Sequence, residues 1–245
     1  GNFSLDGFSV LADKVISLTR RQRSHTKVDN LNIFLLGDII HQDYPWFADR
    51  DEVELITIDQ FRETVDIVLS KNLIDKVLPH FRHITIYSVP GNHGSFGNMA
   101  SRRTNMDTMV AYNLQTLYRD NKKIDWQITD EFFQIAEINN KRILLFHGDQ
   151  IKSYMSIPWY GLSQKILRWH ITMPRGFEVA CHGHFHSMSH WNVGSVQVFS
   201  NGSFFTGDLY ALRRVGYDSV PMQWLFYVPD DPERPITATY PVDFL

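Results

Sequence analysis

The sequence has a single cysteine, Cys181, among its 245 residues. One cysteine excludes an internal disulfide framework and favours a reducing cytoplasm as the location of the protein. No apolar run approaches the roughly 20 residues that a helix needs to cross a bilayer, and residues 1–20 lack a secretory signal pattern. We therefore expect a cytoplasmic protein without a membrane partner, in which Cys181 is a buried bystander and not a metal ligand.

The chain also lacks a strong excess of charge, internal repeats and low-complexity segments. Its net charge of −3 provides no bulk attraction to nucleic acid, so any binding of phosphate must come from a local patch or from metals. A hydrophobic content of 43% is that of a globular protein. The length suits one large α/β domain or two small ones, and we favour one domain over residues 1–245 because the motifs span most of the chain.

Apolar periodicity predicts an α/β chain. Helices are expected at Phe8–Leu18, Ile58–Val77, Met106–Tyr118 and Ser163–His170. Strands are expected at Leu31–Leu36, Ile84–Val89, Ile143–Phe146, Val196–Phe199 and Trp224–Val228. The first half is therefore expected to be β-α-β and the second half richer in strands.

Three finer predictions concern strand pairing. Trp126–Ile128 and Phe132–Ile138 are predicted to form a strand pair, and Asn139-Asn140-Lys141 a hairpin turn. Val196–Phe199 and Trp224–Val228 are predicted to be antiparallel strands of a second sheet, followed by a proline-rich tail.

Polar motifs follow several of the apolar runs directly. These motifs are Gly37-Asp38-Ile39-Ile40-His41, Gly91-Asn92-His93-Gly94, His147-Gly148-Asp149 and Cys181-His182-Gly183-His184-Phe185-His186. Open α/β sheets keep their sites at the edge where the strands end. We expect the four motifs to converge at one such edge.

The last motif has three histidines in five residues. Imidazole is a common ligand for zinc, iron and manganese-type metals. On an extended segment His184 and His186 would point the same way, because side chains alternate with a period of two. Gly183 would let the backbone turn tightly beneath a metal. His182 and His190 fit no motif position and are interpreted as structural.

In their residues and their order along the chain, these motifs resemble the calcineurin-like metallophosphoesterase superfamily. The resemblance covers residues 37–186 and implies a mixed α/β fold, namely a four-layered αββα sandwich of two mixed sheets flanked by helices. It also implies two divalent metal ions, with manganese favoured and iron or zinc left open. Such a pair, about 3.5–4 Å apart, lowers the pKa of a bridging water and clamps the phosphoryl group.

The resemblance also implies roles for individual residues. Asp38 matches the bridging aspartate, and His93 matches the histidine near the leaving group, which acts as a general acid or donates a hydrogen bond to the phosphate. The remaining matched metal ligands are Asn92, His147, His184 and His186, and His41 is expected to support the site from behind the ligands.

Other interpretations of these residues stay open at this point. Asp38 could cap a helix, Asn92 could be a turn residue, and His147 could be a histidine at a strand end with no role in binding.

One superfamily motif, Asp-x-His at the end of the first strand, is absent from this chain. Our hypothesis is that a first N-terminal strand with this motif belongs to the natural protein and is missing here. The alternative of a different class is a scaffold or binding module that kept the fold and lost the first metal.

The expected substrate is a phosphodiester, with DNA favoured. Gly37–Asp43 resembles the second motif of the Mre11/SbcD-like nucleases, Arg102 and Arg103 could contact a nucleic-acid backbone, and Trp159-Tyr160 could stack bases. The alternatives are a small-molecule phosphatase and a nucleotide pyrophosphatase, since His147-Gly148-Asp149 also resembles the lipid-A-precursor diphosphatases. A homodimer is left open.

Overall fold

The computed structural model describes residues 2–43, 55–97, 100–101, 103–152, 158–204 and 220–244. The chain divides into two compact units, Gly1–Glu131 together with Phe244, and Phe132–Asp243. No helix in these ranges is both long enough and apolar enough to span a membrane.

The first unit contains a parallel three-stranded sheet. Its elements are α1 (Asn2–Gln22), β1 (Asn30–Leu35), α2 (Thr57–Glu63), a π-helical segment (Thr64–Ile74), α3 (Asp75–Val77), a 3-10 turn (Leu78–His80), β2 (His83–Ser88), α4 (Met106–Leu117) and β3 (Ile124–Ile128). The strand order is β1-β2-β3, with Leu31 opposite Ile84 and Ile84 opposite Ile124. Ile84 and Ile86 are fully buried because β2 is the central strand of this sheet.

The predicted helix Ile58–Val77 is helical along its length, but its middle is π-helical. The buried residues there form three pairs, Thr64 with Val65, Val68 with Leu69, and Leu73 with Ile74, and a seventh buried residue, Ser70, follows the second pair. These pairs recur every four to five residues, which is wider than the 3.6-residue period of an α-helix. The wider turn keeps all three pairs on the buried side.

The second unit contains a mixed five-stranded sheet and a two-stranded ribbon. Its elements are β4 (Phe133–Ile138), β5 (Lys141–Phe146), α5 (Trp159–Thr172), β6 (Val179–His182), β7 (Ser189–Val193), β8 (Val196–Ser200), β9 (Met222–Phe226) and β10 (Thr239–Asp243). The sheet order is β4-β5-β6-β8-β7, in which β5, β6 and β8 are parallel and the two edge strands are antiparallel to their neighbours.

The core of the second unit lies between this sheet and α5. Leu162 and Ile166, one helical turn apart on α5, are fully buried with Phe146, Phe177 and Val198. The i, i+4 spacing of the two helical residues is what places them on one face.

The mixed α/β class is confirmed, with several sheets and helices. The four-layered order stays a prediction. The hairpin turn is confirmed, since Asn139 and Asn140 both have left-handed backbone angles (φ 49° and 63°) between β4 and β5, as a two-residue turn of this type requires.

Two pairing predictions are wrong. β3 pairs in parallel with β2, and β4 pairs with β5, because the α4 crossover returns β3 beside β2 and buries Ile124. β8 lies in the five-stranded sheet, whereas β9 pairs with β10, a strand in the segment predicted as tail.

Candidate functional site

Asp38 lies just beyond β1, in the bend that follows Leu35. Gly37 and Asp38 both have left-handed backbone angles, with φ of 84° and 53°. The Oδ1 atom of Asp38 accepts a hydrogen bond from the backbone N–H of His93 at 2.8 Å. The next helix, α2, begins at Thr57 and has Ile56 before it, so Asp38 caps no described helix and that interpretation is wrong.

The loop after β2 approaches the Asp38 bend closely. A Cβ atom on Gly91 would overlap the backbone nitrogen and Oδ1 of Asp38, so only glycine fits there. The carbonyl of Asn92 accepts the N–H of Ser95 at 3.2 Å, which makes Asn92 a turn residue as well as a predicted ligand. The sequence prediction that Asp38, Asn92 and His93 lie just past strand ends agrees with the structure.

His93 and His41 form a pair of rings beside Asp38. Their Nδ1 atoms are 3.0 Å apart, and the ring centroids are 4.8 Å apart. The Nε2 atom of His93 lies 3.8 Å from Oδ2 of Asp38. Gln60 accepts the backbone N–H groups of His41 and Gln42, each at 3.1 Å. Because the Nδ1 atom of His93 is engaged by His41, its Nε2 atom is the one that faces Asp38.

A buried carboxylate that the sequence analysis did not include, Asp107, lies at the start of α4. Its Oδ2 atom accepts the N–H groups of Asp38 at 2.9 Å and Gly91 at 2.8 Å. Asn105-Met106-Asp107 is typical of a helix N-terminus, and Asn105 does cap α4 by accepting the N–H of Asp107. The helix start predicted at Met106 agrees with the structure, but no local pattern predicts the contacts of Asp107 with two distant loops.

Arg103, predicted to contact substrate, is an exposed residue whose guanidinium pairs with Glu131 and lies 3.5 Å from Asp130. The hydrogen bond to Glu131, followed by the nearby charge of Asp130, raises the pKa of Arg103. Its charge is therefore partly compensated by acidic neighbours. Arg102 lies outside the described residues.

In the second unit, His147 follows β5 directly and is 1% exposed. Its Nε2 atom lies 3.1 Å from Nδ1 of His184, with the ring centroids 5.0 Å apart. The backbone carbonyl of His147 accepts the N–H of Gly183 at 2.9 Å, which extends the pairing of β5 and β6 by one step. This extension holds the loop that carries His184 beside the end of β5.

The local geometry predicted for the histidine loop is wrong. β6 ends at His182, and both His184 and His186 have left-handed backbone angles, with φ of 69° and 54°. The two rings are therefore not aligned by the alternation of an extended strand. Gly183 is not among the residues with positive φ, and the glycine with this freedom is Gly148 (φ 126°), whose position for a Cβ lies 3.1 Å from Cβ of His184.

His182 is fully buried and stacks on Phe146 with ring centroids 5.2 Å apart. Its Nδ1 atom lies 3.0 Å from the carbonyl of Gly183, whereas its Nε2 atom has no hydrogen-bond partner. Burial lowers the pKa of His182 to about 4. This is the structural role expected for His182, since a neutral imidazole fills an apolar site.

Two further side-chain predictions agree with the structure. His190 stacks on Phe199 with centroids 4.2 Å apart, and desolvation lowers its pKa. Cys181 is buried within β6, and burial raises the pKa of its thiol. A thiol kept protonated by burial is a poor metal ligand.

The aromatic pair predicted to stack bases is split between two environments. Trp159 packs against Trp191 with centroids 4.8 Å apart, whereas Tyr160 is 70% exposed on the first turn of α5. The preceding residues 153–157 lie outside the described part of the chain.

No family model and no curated protein match the chain. Among solved structures, it is similar to Vps29 from Entamoeba histolytica in complex with Zn²⁺ (15% identity, 66% of this chain and 82% of the other, TM-score 0.33). It is also similar to an archaeal phosphodiesterase (15% identity, 87% and 82%, TM-score 0.39). A third similar structure is a hypothetical protein from Pyrococcus horikoshii (9% identity, 96% and 83%, TM-score 0.43).

Proposed function

We propose that the protein is a metal-dependent phosphoester hydrolase, and that its substrate is a nucleic-acid phosphodiester. The proposed metal ligands are Asp38 and Asn92 in the first unit and His147, His184 and His186 in the second. Two divalent ions are proposed, with manganese favoured. Bound there, they would supply a nucleophile at neutral pH and compensate charge on the phosphoryl oxygens.

The observation that carries the proposal is the contact between His147 and His184. Metal–nitrogen bonds of 2.0–2.1 Å at angles between 90° and 110° place two ligand nitrogens roughly 2.8–3.4 Å apart. The 3.1 Å between His147 Nε2 and His184 Nδ1 lies in this range. His184 also holds a left-handed backbone angle that a non-glycine residue adopts at a cost. The histidine pair thus fits a shared cation.

His93 is the proposed general acid. Its Nδ1 atom contacts His41, and its Nε2 atom lies 3.8 Å from Oδ2 of Asp38, from where it would donate a proton to the leaving oxygen. The backbone carbonyl of His93 accepts a hydrogen bond from the Gln42 side chain at 2.7 Å, which restrains the residue from a second direction. His41 therefore sets which ring nitrogen of His93 can reach a substrate.

The preference for nucleic acid is supported by α5. This helix contains no acidic residue, and it exposes Lys165 and Arg168 together with Tyr160. Exposed cations and an exposed aromatic ring on one helix are features that can bind single-stranded nucleic acid, through phosphate charge and base stacking.

The test is Mn²⁺-dependent cleavage of end-labelled single- and double-stranded DNA, run beside hydrolysis of bis(p-nitrophenyl) phosphate. We expect both activities to be lost with a chelator. We expect His93→Ala to lower both by a factor of 10² or more, since general acid catalysis contributes about that much. His25→Ala, which changes an exposed histidine, should leave both unchanged.

The two substrates distinguish the proposal of a phosphoester hydrolase from the proposal of a nucleic-acid substrate. Hydrolysis of the small diester without cleavage of DNA would reject the nucleic-acid substrate and retain the hydrolase. Failure of both reactions at saturating Mn²⁺ would reject the hydrolase.

A further inference from the structure

The carboxylate of Asp107 joins two chain segments that are far apart in sequence. It accepts the backbone N–H groups of Asp38 and Gly91 on Oδ2, and those of Ile39 and Ile40 on Oδ1 at 3.0 and 3.3 Å. A carboxylate offers about four lone-pair positions, so these four bonds match its full accepting capacity. Asp107 is 0% exposed, which means that water cannot replace any of these bonds without a rearrangement of the chain.

The three N–H groups donated by residues 38–40 are consecutive along the chain. Consecutive amides that converge on one anion form a nest, which requires a left-handed angle within the turn, and Asp38 has a φ of 53°. A left-handed angle at a non-glycine residue persists when its surroundings hold it there. The contact with Asp107 is therefore what stabilises the backbone that aims the Asp38 side chain.

The loop after β2 is tied to the same helix start by further bonds. Asn105 donates its side-chain N–H to the carbonyl of Gly91 at 2.8 Å, and the N–H of Met106 bonds to the carbonyl of Gly94 at 2.8 Å. Asp107 itself lies in the first turn of α4, where the helix dipole favours a negative charge. The start of α4 is thus hydrogen-bonded to Gly91 and to Gly94, the residues on either side of Asn92 and His93.

We propose that Asp107 is a positioning residue that fixes Asp38 relative to Asn92 and His93, so that the metal affinity of the first unit depends on it. This proposal rests on the proposed function, in which Asp38 and Asn92 are ligands. Asp107 is not itself a ligand, because its oxygens are occupied by backbone amides.

Asp107→Asn tests the proposal with little change in size. An amide has one accepting oxygen, so its NH2 group must face either the Ile39 and Ile40 amides or the Asp38 and Gly91 amides. We expect Mn²⁺ binding, measured by calorimetry, to weaken at least tenfold. We also expect excess Mn²⁺ to restore part of the hydrolysis of bis(p-nitrophenyl) phosphate, which it should not do for His93→Ala.

The matched control is Val110→Ala, which removes volume from a fully buried position one turn further along α4. It should lower Tm while leaving Mn²⁺ affinity within twofold of the native protein. Amide hydrogen exchange of the metal-free proteins supplies a readout that needs no activity. Exchange in peptides covering residues 38–40 and 91 should accelerate in Asp107→Asn and not in Val110→Ala.

A second variant serves if Asp107→Asn does not fold. Asn105→Ser keeps an oxygen that can cap α4 but replaces the amide N–H that bonds to Gly91 with a shorter hydroxyl, so it should weaken Mn²⁺ binding by a smaller factor. Equal Mn²⁺ affinities in the Asp107 variant and the Val110 control, or unchanged exchange at residues 38–40 and 91, would overturn the positioning role. A native protein that neither bound Mn²⁺ nor hydrolysed either diester would instead overturn the proposed function.

Discussion

The two units hold their candidate residues by different physical means. In the first unit, the Asp38 bend and the loop through His93 are fixed by backbone hydrogen bonds to one buried carboxylate, Asp107, and by a glycine contact. In the second unit, His184 is held by its contact with His147 and by the extended pairing of β5 and β6, and the ring of His182 is buried against Phe146. One arrangement depends on a polar network and the other on packing and local backbone geometry.

This difference determines how each unit should respond to change. A polar network with every acceptor used fails when one partner is altered, because the remaining buried groups stay desolvated and unpaired. A buried imidazole such as that of His182 instead destabilises the fold when it is protonated, since an imidazolium in an apolar site is costly. The first unit should therefore be sensitive to shape, and the second to pH.

The largest effect is expected from Gly91→Ala. Its Cβ would overlap the backbone nitrogen and Oδ1 of Asp38, so the two loops must separate. We expect a loss of unfolding free energy of about 1–3 kcal/mol, as for other overpacked sites, and a loss of hydrolysis of at least a hundredfold. Urea unfolding and hydrolysis of bis(p-nitrophenyl) phosphate measure the two.

Gly194→Ala is the matched control for that variant. Gly194 has a φ of 60°, and an added Cβ would meet Leu167 at an ordinary 3.7 Å. The control therefore introduces backbone strain without a clash and should retain hydrolysis. Equal activity in the two variants would mean that the close approach of the first unit's loops has no role in the site.

The next effect is expected from His182→Leu, and it should concern stability at acid pH and not hydrolysis. The pKa of His182 is about 4 in the folded protein, below the 6.5 of an exposed histidine. As pH falls from about 6.5 to about 4, the unfolded chain binds a proton that the folded chain does not, so stability is lost by up to about 3 kcal/mol. His182→Leu should remove this part of the acid sensitivity.

Urea unfolding of chelator-treated protein at pH 7.5 and pH 4.5 measures the change for His182→Leu. His25→Leu, at an exposed position, should keep the native pH dependence. If His182→Leu lost as much stability on acidification as the native protein, the buried ring would not be the source of that loss.

The sequence predicts where the candidate residues lie better than what holds them. Apolar runs locate the ends of β1, β2 and β5, so Asp38, Asn92 and His147 could be placed just beyond strands. Asp107 could not be found in this way, because the residues it binds lie 69 and 16 positions away and only the tertiary fold brings them together. The specificity of the site for two ions and for nucleic acid stays a prediction.

Strand pairing and some backbone angles also cannot be predicted from local sequence patterns. The sequences of β3 and β4 both have the pattern of short, half-buried strands. Neither sequence predicts which neighbour its strand pairs with, β2 for β3 and β5 for β4. The Asn139-Asn140 turn was predictable, because asparagine tolerates left-handed angles. The same angle at His184 was not, because histidine rarely adopts it unless the surroundings impose it.

The smallest effect is expected from Asn140→Gly, which sharpens this last contrast. Asn140 and His184 have similar left-handed angles, with φ of 63° and 69°, and glycine relieves the backbone cost at either position. Asn140→Gly should raise the unfolding free energy by about 0.5 kcal/mol and leave hydrolysis unchanged, since Asn-Gly is favoured in such hairpin turns. His184→Gly gives the same backbone relief but removes a proposed ligand, so Mn²⁺ binding and hydrolysis should be lost. If His184→Gly retained Mn²⁺ binding and hydrolysis, the left-handed backbone angle at residue 184 would not be there to place a metal-binding side chain.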